Sequence, residues 1–587
     1  MKTKRGDFSN QRFIYLSTIA LVIGILCTFV AVFLIKLINF FTNLFFFQTL
    51  SLHSNSPTSN LLGWGVVLIP ALGGLIVGLM ARFGSEKIRG HGIPEALEAI
   101  LFGKSIMSPK VAILKPLSSA ISIGSGGPFG AEGPIIMTGG AVGSMIAQRF
   151  HLTDAERKTL LVAGASAGMS AIFASPVAAI LLAVELLLFE WRPRSLIPVA
   201  FASIAAAAVR PYFLGSGPIF FFPTHVDVTF VGLFASCFAG IIAGLFSTGT
   251  SNLLYKLEDA FHRLPFHWMW WCVMGGLVVG IGGYLQPRAL GVGYDVIEDL
   301  LQGSIPVQIA LGLLFVKSLI WVVSLASGTS GGVLAPLLMM GCGLGVVESL
   351  FLPGEIKILY PLISMAAVMG GMMRSPFTAV IFAFELTHNV DAVLPTLVAT
   401  ITSYAVTVIT MKRSILTEKV ARRGYDIFRE YSVDPLEITR VGDIMSKEVI
   451  TIPSDTPLSD LVKTYFNGDM KFRGYPVLDA DGALRGIITA SDVLKHRLHP
   501  EPTDLISAGI AKTNVATVYP YESCREAAEK MASLGIGRLP VVLFDDPKRV
   551  LGIITRSDLL KPRLSHHYAE HKRERVVSFR QQSLTEK

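Results

Sequence analysis

Ser175-Pro176-Val177-Ala178-Ala179-Ile180-Leu181-Leu182-Ala183-Val184-Glu185-Leu186 is answered further along the chain by Ser375-Pro376-Phe377-Thr378-Ala379-Val380-Ile381-Phe382-Ala383-Phe384-Glu385-Leu386. Ser, Pro, two alanines, Glu and Leu coincide, and the offset, 376 − 176, is 200. A second pair follows the same order. Pro134-Ile135-Ile136-Met137-Thr138-Gly139 matches Pro336-Leu337-Leu338-Met339-Met340-Gly341, and Gly143 and Gly345 extend it. Its offset, 336 − 134, is 202. Two apolar, Pro-opened strings recurring at nearly one spacing predict a duplicated half. Membrane transporters often build their site between two such halves, from helices broken at the midplane.

The surrounding composition agrees. Of 587 residues, 51% are hydrophobic and 16% charged, against about 25% charged in average soluble domains. From Phe13 to Ala81 the only Asp, Glu, Lys or Arg is Lys36. A spanning helix needs about 20 apolar residues, so this stretch predicts two spans, around 13–38 and 61–81. The first apolar run is too long for a signal-peptide core and no small-residue cleavage site follows, which predicts a retained helix. Lys2, Lys4, Arg5 and Arg12 precede it and predict a cytosolic N-terminus. The net charge of +8 needs no nucleic acid to explain it. Much of it flanks apolar segments (Lys412, Arg413, Lys419, Arg422, Arg423) or sits in the tail from His571 to Arg580. The five cysteines, Cys27, Cys237, Cys272, Cys342 and Cys524, show no metal or disulfide spacing. They read as small buried hydrophobes.

Beyond Arg413 charge rises and a second duplication begins. Gly486-Ile487-Ile488-Thr489-Ala490-Ser491-Asp492-Val493-Leu494 recurs as Gly552-Ile553-Ile554-Thr555-Arg556-Ser557-Asp558-Leu559-Leu560, offset by 555 − 489, or 66. Each copy follows a short strand signal at Pro476 or Pro540, with a helical stretch before it such as Arg525 to Leu534. The region resembles a tandem CBS pair, an α/β module. The expected partition is 1–424 membrane domain, 425–438 linker, 439–500 and 501–565 the two CBS copies, and 566–587 a basic disordered tail.

Three Gly-rich segments each end one apolar run and open another: Gly90-His91-Gly92-Ile93-Pro94-Glu95, Gly130-Ala131-Glu132-Gly133-Pro134 and Gly331-Gly332-Val333-Leu334-Ala335-Pro336. Gly before, and Pro just inside, are helix-start signals. Helix N-termini expose unpaired N–H groups and a partial positive charge, and so bind anions. Several converging within a membrane make an anion site without a full cationic side chain, which is costly there. A lone break of this kind reads as an ordinary kink, but three in order, two of them related by the repeat, point to function.

These segments resemble the GSGIP, GREGP and GxFxP segments that line the chloride path in the CLC family of chloride channels and transporters. They fall here on Gly90–Pro94, Gly130–Pro134 and Gly332–Pro336, and the resemblance spans about residues 12–424. It implies an all-α polytopic domain of two inverted repeats of broken helices, forming a homodimer with one pore per subunit. It also makes Glu132 the gating glutamate, whose ionised carboxylate occupies an anion site and swings away when protonated. The expected anion-binding residues are Gly90, His91, Gly92, Ile93, Pro94, Gly130, Ala131, Gly133, Pro134, Gly332, Val333, Leu334, Ala335, Pro336 and Leu416.

The chain departs from the family pattern at four of these. His91 stands for the serine of GSGIP, Ala131 for the arginine of GREGP, Leu334 for the phenylalanine of GxFxP, and Leu416 for a pore-facing tyrosine. Two side-chain hydroxyls are thereby missing from the central site, so backbone amides at Val333, Leu334 and near His91 must do more of the coordination. His91 reads either as a pH-sensitive ligand or as a histidine facing vestibule water. Glu185 and Glu385, matched by the repeat, read as structural groups at helix ends. Family exchangers carry a second, proton-handling glutamate directly after the first, and here that position is Leu186. Leucine carries no proton, which predicts a voltage- or pH-gated chloride channel, with a proton-coupled antiporter as the alternative.

Two other classes are weighed. A CBS-regulated magnesium channel needs pore carboxylates, where these segments offer donors. An intramembrane metalloprotease needs His-Glu-x-x-His, a string the chain lacks. The expected partners are chloride or other small anions, the lipid bilayer and a second copy of the chain, in the plasma membrane with both termini cytosolic. No cofactor is required. Thr489 and Asp492, with Thr555 and Asp558, form two Thr-x-x-Asp groups. In the CBS family these contact an adenine nucleotide (ATP, ADP or AMP) through its phosphate and ribose.

Overall fold

The computed structural model describes residues 10–101, 103–220, 222, 225–422, 435–466, 473–498, 511–562 and 564. The chain divides into two units, Met1–Tyr431 and Ser432–Lys587. Most of the expected linker and all of the expected tail lie outside the described residues.

The first unit is helical. Its first half runs α1 Asn10–Thr42, α2 Leu68–Phe83, α3 Ile93–Leu101, α4 Pro109–Gly124, α5 Glu132–Ala147, α6 Asp154–Phe173, α7 Pro176–Leu182 and α8 Pro193–Val209. Its second runs α9 Phe230–His262, α10 Trp271–Leu285, α11 Tyr294–Leu301, α12 Val307–Ala326, α13 Leu334–Glu348, α14 Tyr360–Met373, α15 Pro376–Thr387 and α16 Val393–Thr410, with α17 Ile415–Arg422 after it. Both α1 and α9 have 33 residues, and α3, α5, α7 and α8 start at the repeat spacing from α11, α13, α15 and α16. The duplication read from two short strings therefore extends through eight helices on each side. Eight stretches among the described residues are long and apolar enough to cross a membrane, beginning with Gln11–Phe47 and Gly63–Phe83. These two cover the spans expected near 13–38 and 61–81.

The recurring glycines have a packing reason. A Cβ on Gly139 would meet the Gly164 carbonyl at 2.3 Å, and one on Gly143 the Leu160 carbonyl at 2.3 Å. α5 and α6 thus touch backbone to backbone. In the second half a Cβ on Gly345 would lie 2.2 Å from the Tyr360 carbonyl, where α13 meets α14 in the same way. Without a hydrophobic drive between helices in lipid, such close packing through small residues four apart is what holds them together.

The halves also clasp each other reciprocally. The Glu385 carboxylate at the end of α15 accepts from the amides of Val177 and Ala178 at 2.9 and 2.8 Å, in the first turn of α7. Glu185, just past α7, accepts from the Thr378 amide and hydroxyl at 2.8 and 2.6 Å and from the Phe377 amide at 3.3 Å, in the first turn of α15. Each carboxylate caps the helix that carries the other, the contact pattern of a two-fold axis, and the structural reading of this pair holds. Glu385→Ala removes two charge-assisted bonds at a helix N-terminus, a loss of about 1–2 kcal/mol. The expected result is a lower thermal midpoint for the full-length protein in detergent, with Glu185→Ala lowering it by a similar amount.

The second unit is α/β. β1 Ile452–Pro453 pairs parallel with β2 Gly474–Leu478, and β2 pairs antiparallel with β3 Leu484–Thr489. β4 Arg538–Val542 pairs antiparallel with β5 Val550–Thr555. Pro476 lies opposite Ile487 and Pro540 opposite Ile553, so the two copies share one register. Helix Leu458–Tyr465 lies between β1 and β2, and Cys524–Ser533 precedes β4, the second with a Ser523–Glu526 capping box.

Candidate anion site

Glu132 opens α5 and is fully buried. Its Oε1 accepts hydrogen bonds from the Leu334 amide and, at 3.3 Å, from the Ala335 amide. Those are the first two residues of α13. A carboxylate from one half therefore sits on the N-terminus of a helix from the other, where unpaired N–H groups and the helix dipole favour negative charge. The same donors would serve a halide. An anion there would compete with the carboxylate for one place.

The three Gly-rich segments converge around it. Gly332 N donates to Gly130 O at 2.9 Å and Gly130 N to Gly332 O at 3.4 Å, a reciprocal antiparallel bridge between the halves. Gly331 N donates to Gly90 O at 3.4 Å. Gly133 lies so close to the first segment that a Cβ there would fall 2.1 Å from the His91 carbonyl oxygen and 3.1 Å from the Gly332 Cα. Ile93 and Pro94 at the start of α3 are buried, as are Ala131, Gly133, Pro134 and every residue from Gly332 to Pro336. Gly92 is also buried, and Gly90 and Gly92 have φ of +75° and +86°, a turn glycine makes readily.

His91 is only 3% exposed. Of the two readings of His91, that burial does not fit an imidazole open to vestibule water. Leu416 on α17 and Leu186 are both fully buried. Ala131 lines a cavity of about 510 Å³ together with Arg210 and Tyr294.

Sequence reasoning missed two lysines. Lys115 on α4 is fully buried, and its ammonium donates to Ile88 O at 2.8 Å, Gly90 O at 2.7 Å and Ser330 Oγ at 3.0 Å. It ties the first segment to the third. Lys317 on α12 is equally buried and donates to Ala289 O and Gly291 O, both at 2.9 Å. The signal was available, since 317 − 115 is again 202, Lys317 is the only charge in α12, and Lys115 shares α4 only with Lys110 in its first turn. A buried charge persists only when its hydrogen bonds are met, and three carbonyl or hydroxyl oxygens meet those of Lys115.

In the second unit each Thr-x-x-Asp closes on itself. The Thr489 hydroxyl and amide donate to Asp492 Oδ2 at 2.5 and 3.0 Å, and those of Thr555 to Asp558 Oδ2 at 2.7 and 2.9 Å. Lys512 and Lys561 reach the remaining oxygens of Asp492 and Asp558 at 3.0 and 2.6 Å. Burial pushes the Asp558 carboxyl up, but the hydrogen bonds from Lys561 and Thr555 outweigh it and hold the group below the ordinary carboxylate range. Its folded pKa being depressed, this support is complete above the usual carboxylate pKa and is lost as pH falls through the depressed one. Thr489 lines a cleft of about 660 Å³, and Thr555 and Asp558 one of about 890 Å³. Arg473 and Arg538 line both, and Arg556 the second. Neither motif reads as basic in sequence because Arg473 and Arg538 lie outside both, one in each copy, and Arg556 is the one arginine inside a motif.

A family model described as the voltage gated chloride channel matches residues 73–408, and CBS domain models match 441–499 and 506–564. The chain belongs to the CLC family. A "Putative chloride channel protein ClcB-like" of Ralstonia nicotianae is 27% identical over 383 residues, covering 62% of this chain and 88% of that one. An "H(+)/Cl(-) exchange transporter ClcA" of Salmonella paratyphi B is 28% identical over 354 residues, covering 56% and 73%. Among solved structures, a slow cyanobacterial Cl-/H+ antiporter superposes with a TM-score of 0.62 at 22% identity, covering 70% of this chain and 97% of its own. A eukaryotic CLC transporter gives 0.60 at 18%, covering 94% and 99%. The CLC fold and the membrane-spanning character follow, and the magnesium-channel alternative falls away.

Proposed function

We propose that this CLC protein exchanges chloride for protons across a membrane, with Glu132 as the group that both ions displace. One observation carries the reading. The Glu132 carboxylate sits on the Leu334 and Ala335 amides, so an anion gains those donors only when the carboxylate leaves. Protonation removes the charge that holds it there. Chloride and proton thereby act on one group from opposite directions, which is the requirement for coupling. The similarity to an exchange transporter named ClcA supports the same reading. It displaces the channel expected from Leu186. That channel reading keeps one favourable observation, because Leu186 is buried and Glu185 is committed to the α15 cap. A chloride gradient that drives protons uphill in proteoliposomes decides between them.

The working unit in this reading is a homodimer in the plasma membrane, one pore per subunit, with both termini cytosolic. The CBS clefts take an adenine nucleotide, its ribose at Asp492 or Asp558 and its phosphates at Thr489 or Thr555 beside Arg473 and Arg538. Calorimetry on the full-length protein is expected to show heat with ATP, ADP or AMP, and Asp558→Ala to weaken it about tenfold, the value of one charge-assisted bond. No heat at millimolar ligand removes the nucleotide from the account.

A further inference from the structure

A cavity of about 520 Å³ is lined by Lys87, Arg89, Glu98, Glu258, Lys419 and Arg422 among others. Two of these, Lys419 and Arg422, read from sequence as charges flanking a membrane segment. Their surroundings differ. Arg422 is held by Asp259 at 2.6 Å, Glu418 at 3.2 Å and Glu258 at 3.9 Å. Among the described residues Lys419 pairs with one carboxylate, Glu95, at 3.2 Å. Glu95 is almost wholly buried on α3, while the Lys419 side chain keeps 23% of its surface open. The pair thus joins the packed interior to the cavity.

The ammonium of Lys419 also lies against Gly90, the first residue of the first Gly-rich segment. A Cβ on Gly90 would come within 2.4 Å of its Nζ. Lys419 stands three residues after Leu416 on α17, and residues three apart share a helix face. The face that offers an apolar side chain at Leu416 therefore offers a cation one turn on.

We propose that Lys419 is an anion ligand at the mouth of the path, its ammonium shared between Glu95 and an incoming halide that then passes to the backbone amides of the segments. Lys419 has this role only if the path carries anions, as proposed above. A long, flexible ammonium suits it, because it can turn from a carboxylate to a halide by rotating about its stem. At contact distance one such charge is worth about 1 kcal/mol in fully aqueous surroundings and more where screening is weaker, so a change of about tenfold in affinity is expected.

The test is chloride flux through the full-length protein as a function of chloride at each face in turn. Lys419→Met is expected to raise the half-saturating chloride at one face about tenfold, with the maximal flux and the other face changed less than about twofold. Lys419→Arg restores the wild-type dependence. The Lys419→Met, Glu95→Gln double variant removes the buried charge at Glu95 together with the ammonium, so it reads out even where the single variant fails to fold. It is expected to stay as weak as the single, because removing the carboxylate does not return the ligand. A double variant with wild-type chloride dependence would mean that Lys419 only neutralises Glu95, and overturns the proposal. So does an unmoved dependence in Lys419→Met, or an equal shift at both faces. A wild-type protein with no chloride flux removes the anion path itself, and this role with it. Intact flux with an unmoved profile removes the role alone.

Discussion

Glu132→Ala is expected to leave chloride flux in place, to abolish its pH dependence and to sever it from proton movement. In the wild-type chain the carboxylate holds the Leu334 and Ala335 amides. Alanine vacates them, and an anion binds there at any pH. Flux through the wild-type protein rises as pH falls, since protonation is what frees the amides. Well above the carboxyl's own midpoint the protonated fraction changes about tenfold per pH unit. The variant's flux is expected to vary less than about twofold over the same range. Glu132→Gln should behave alike, its neutral amide imitating the protonated acid. Chloride efflux from proteoliposomes, recorded at a series of pH values, measures both. A Gln variant that keeps the wild-type pH profile would show that another group is the gate.

Gly133→Ala is expected to be among the most damaging single methyls in the membrane unit. The added Cβ meets the His91 carbonyl oxygen at 2.1 Å, more than 1 Å inside ordinary contact, and both neighbours are backbone. The first and second segments must then separate, and displacing a binding group by about 1 Å costs about 100-fold in rate. Flux at least that much lower is the expected outcome. Gly249→Ala is the matched control. It lies in α9, its Cβ would meet nothing within 4 Å, and alanine is the better helix former. Flux and assembly near wild type are expected for it, measured by the same efflux assay and by size-exclusion chromatography.

Much of this architecture was legible because the physics that builds it is local. Pro after Gly starts helices, apolar runs span bilayers, and a duplicated sequence folds twice. Glu185 and Glu385 could be read as structural from the repeat alone, and the carboxylates do cap each other's helices. What stayed illegible depends on contacts distant in sequence. The repeat showed that Lys115 and Lys317 correspond, but only the fold shows Lys115 holding Gly90 and Ser330 together. His91 could be read as a ligand or as a histidine facing vestibule water, and only the fold shows that it is buried. In the CBS pair Arg473 and Arg538 line both clefts from outside the Thr-x-x-Asp motifs. The channel reading leaned on one position, Leu186, and gave it more weight than the Glu132 carboxylate, which holds the amides an anion would need.

The most direct measurement of that competition is chloride-driven proton movement. Proteoliposomes loaded with high chloride are diluted into low chloride, with the membrane potential held near zero, and the external pH is recorded. Chloride leaving the vesicle should pull protons inward against their gradient, so the external solution turns alkaline, and Glu132→Ala should abolish the drift while chloride still leaves. Chloride efflux from the wild-type protein with no change in external pH would contradict exchange and make this CLC protein a channel.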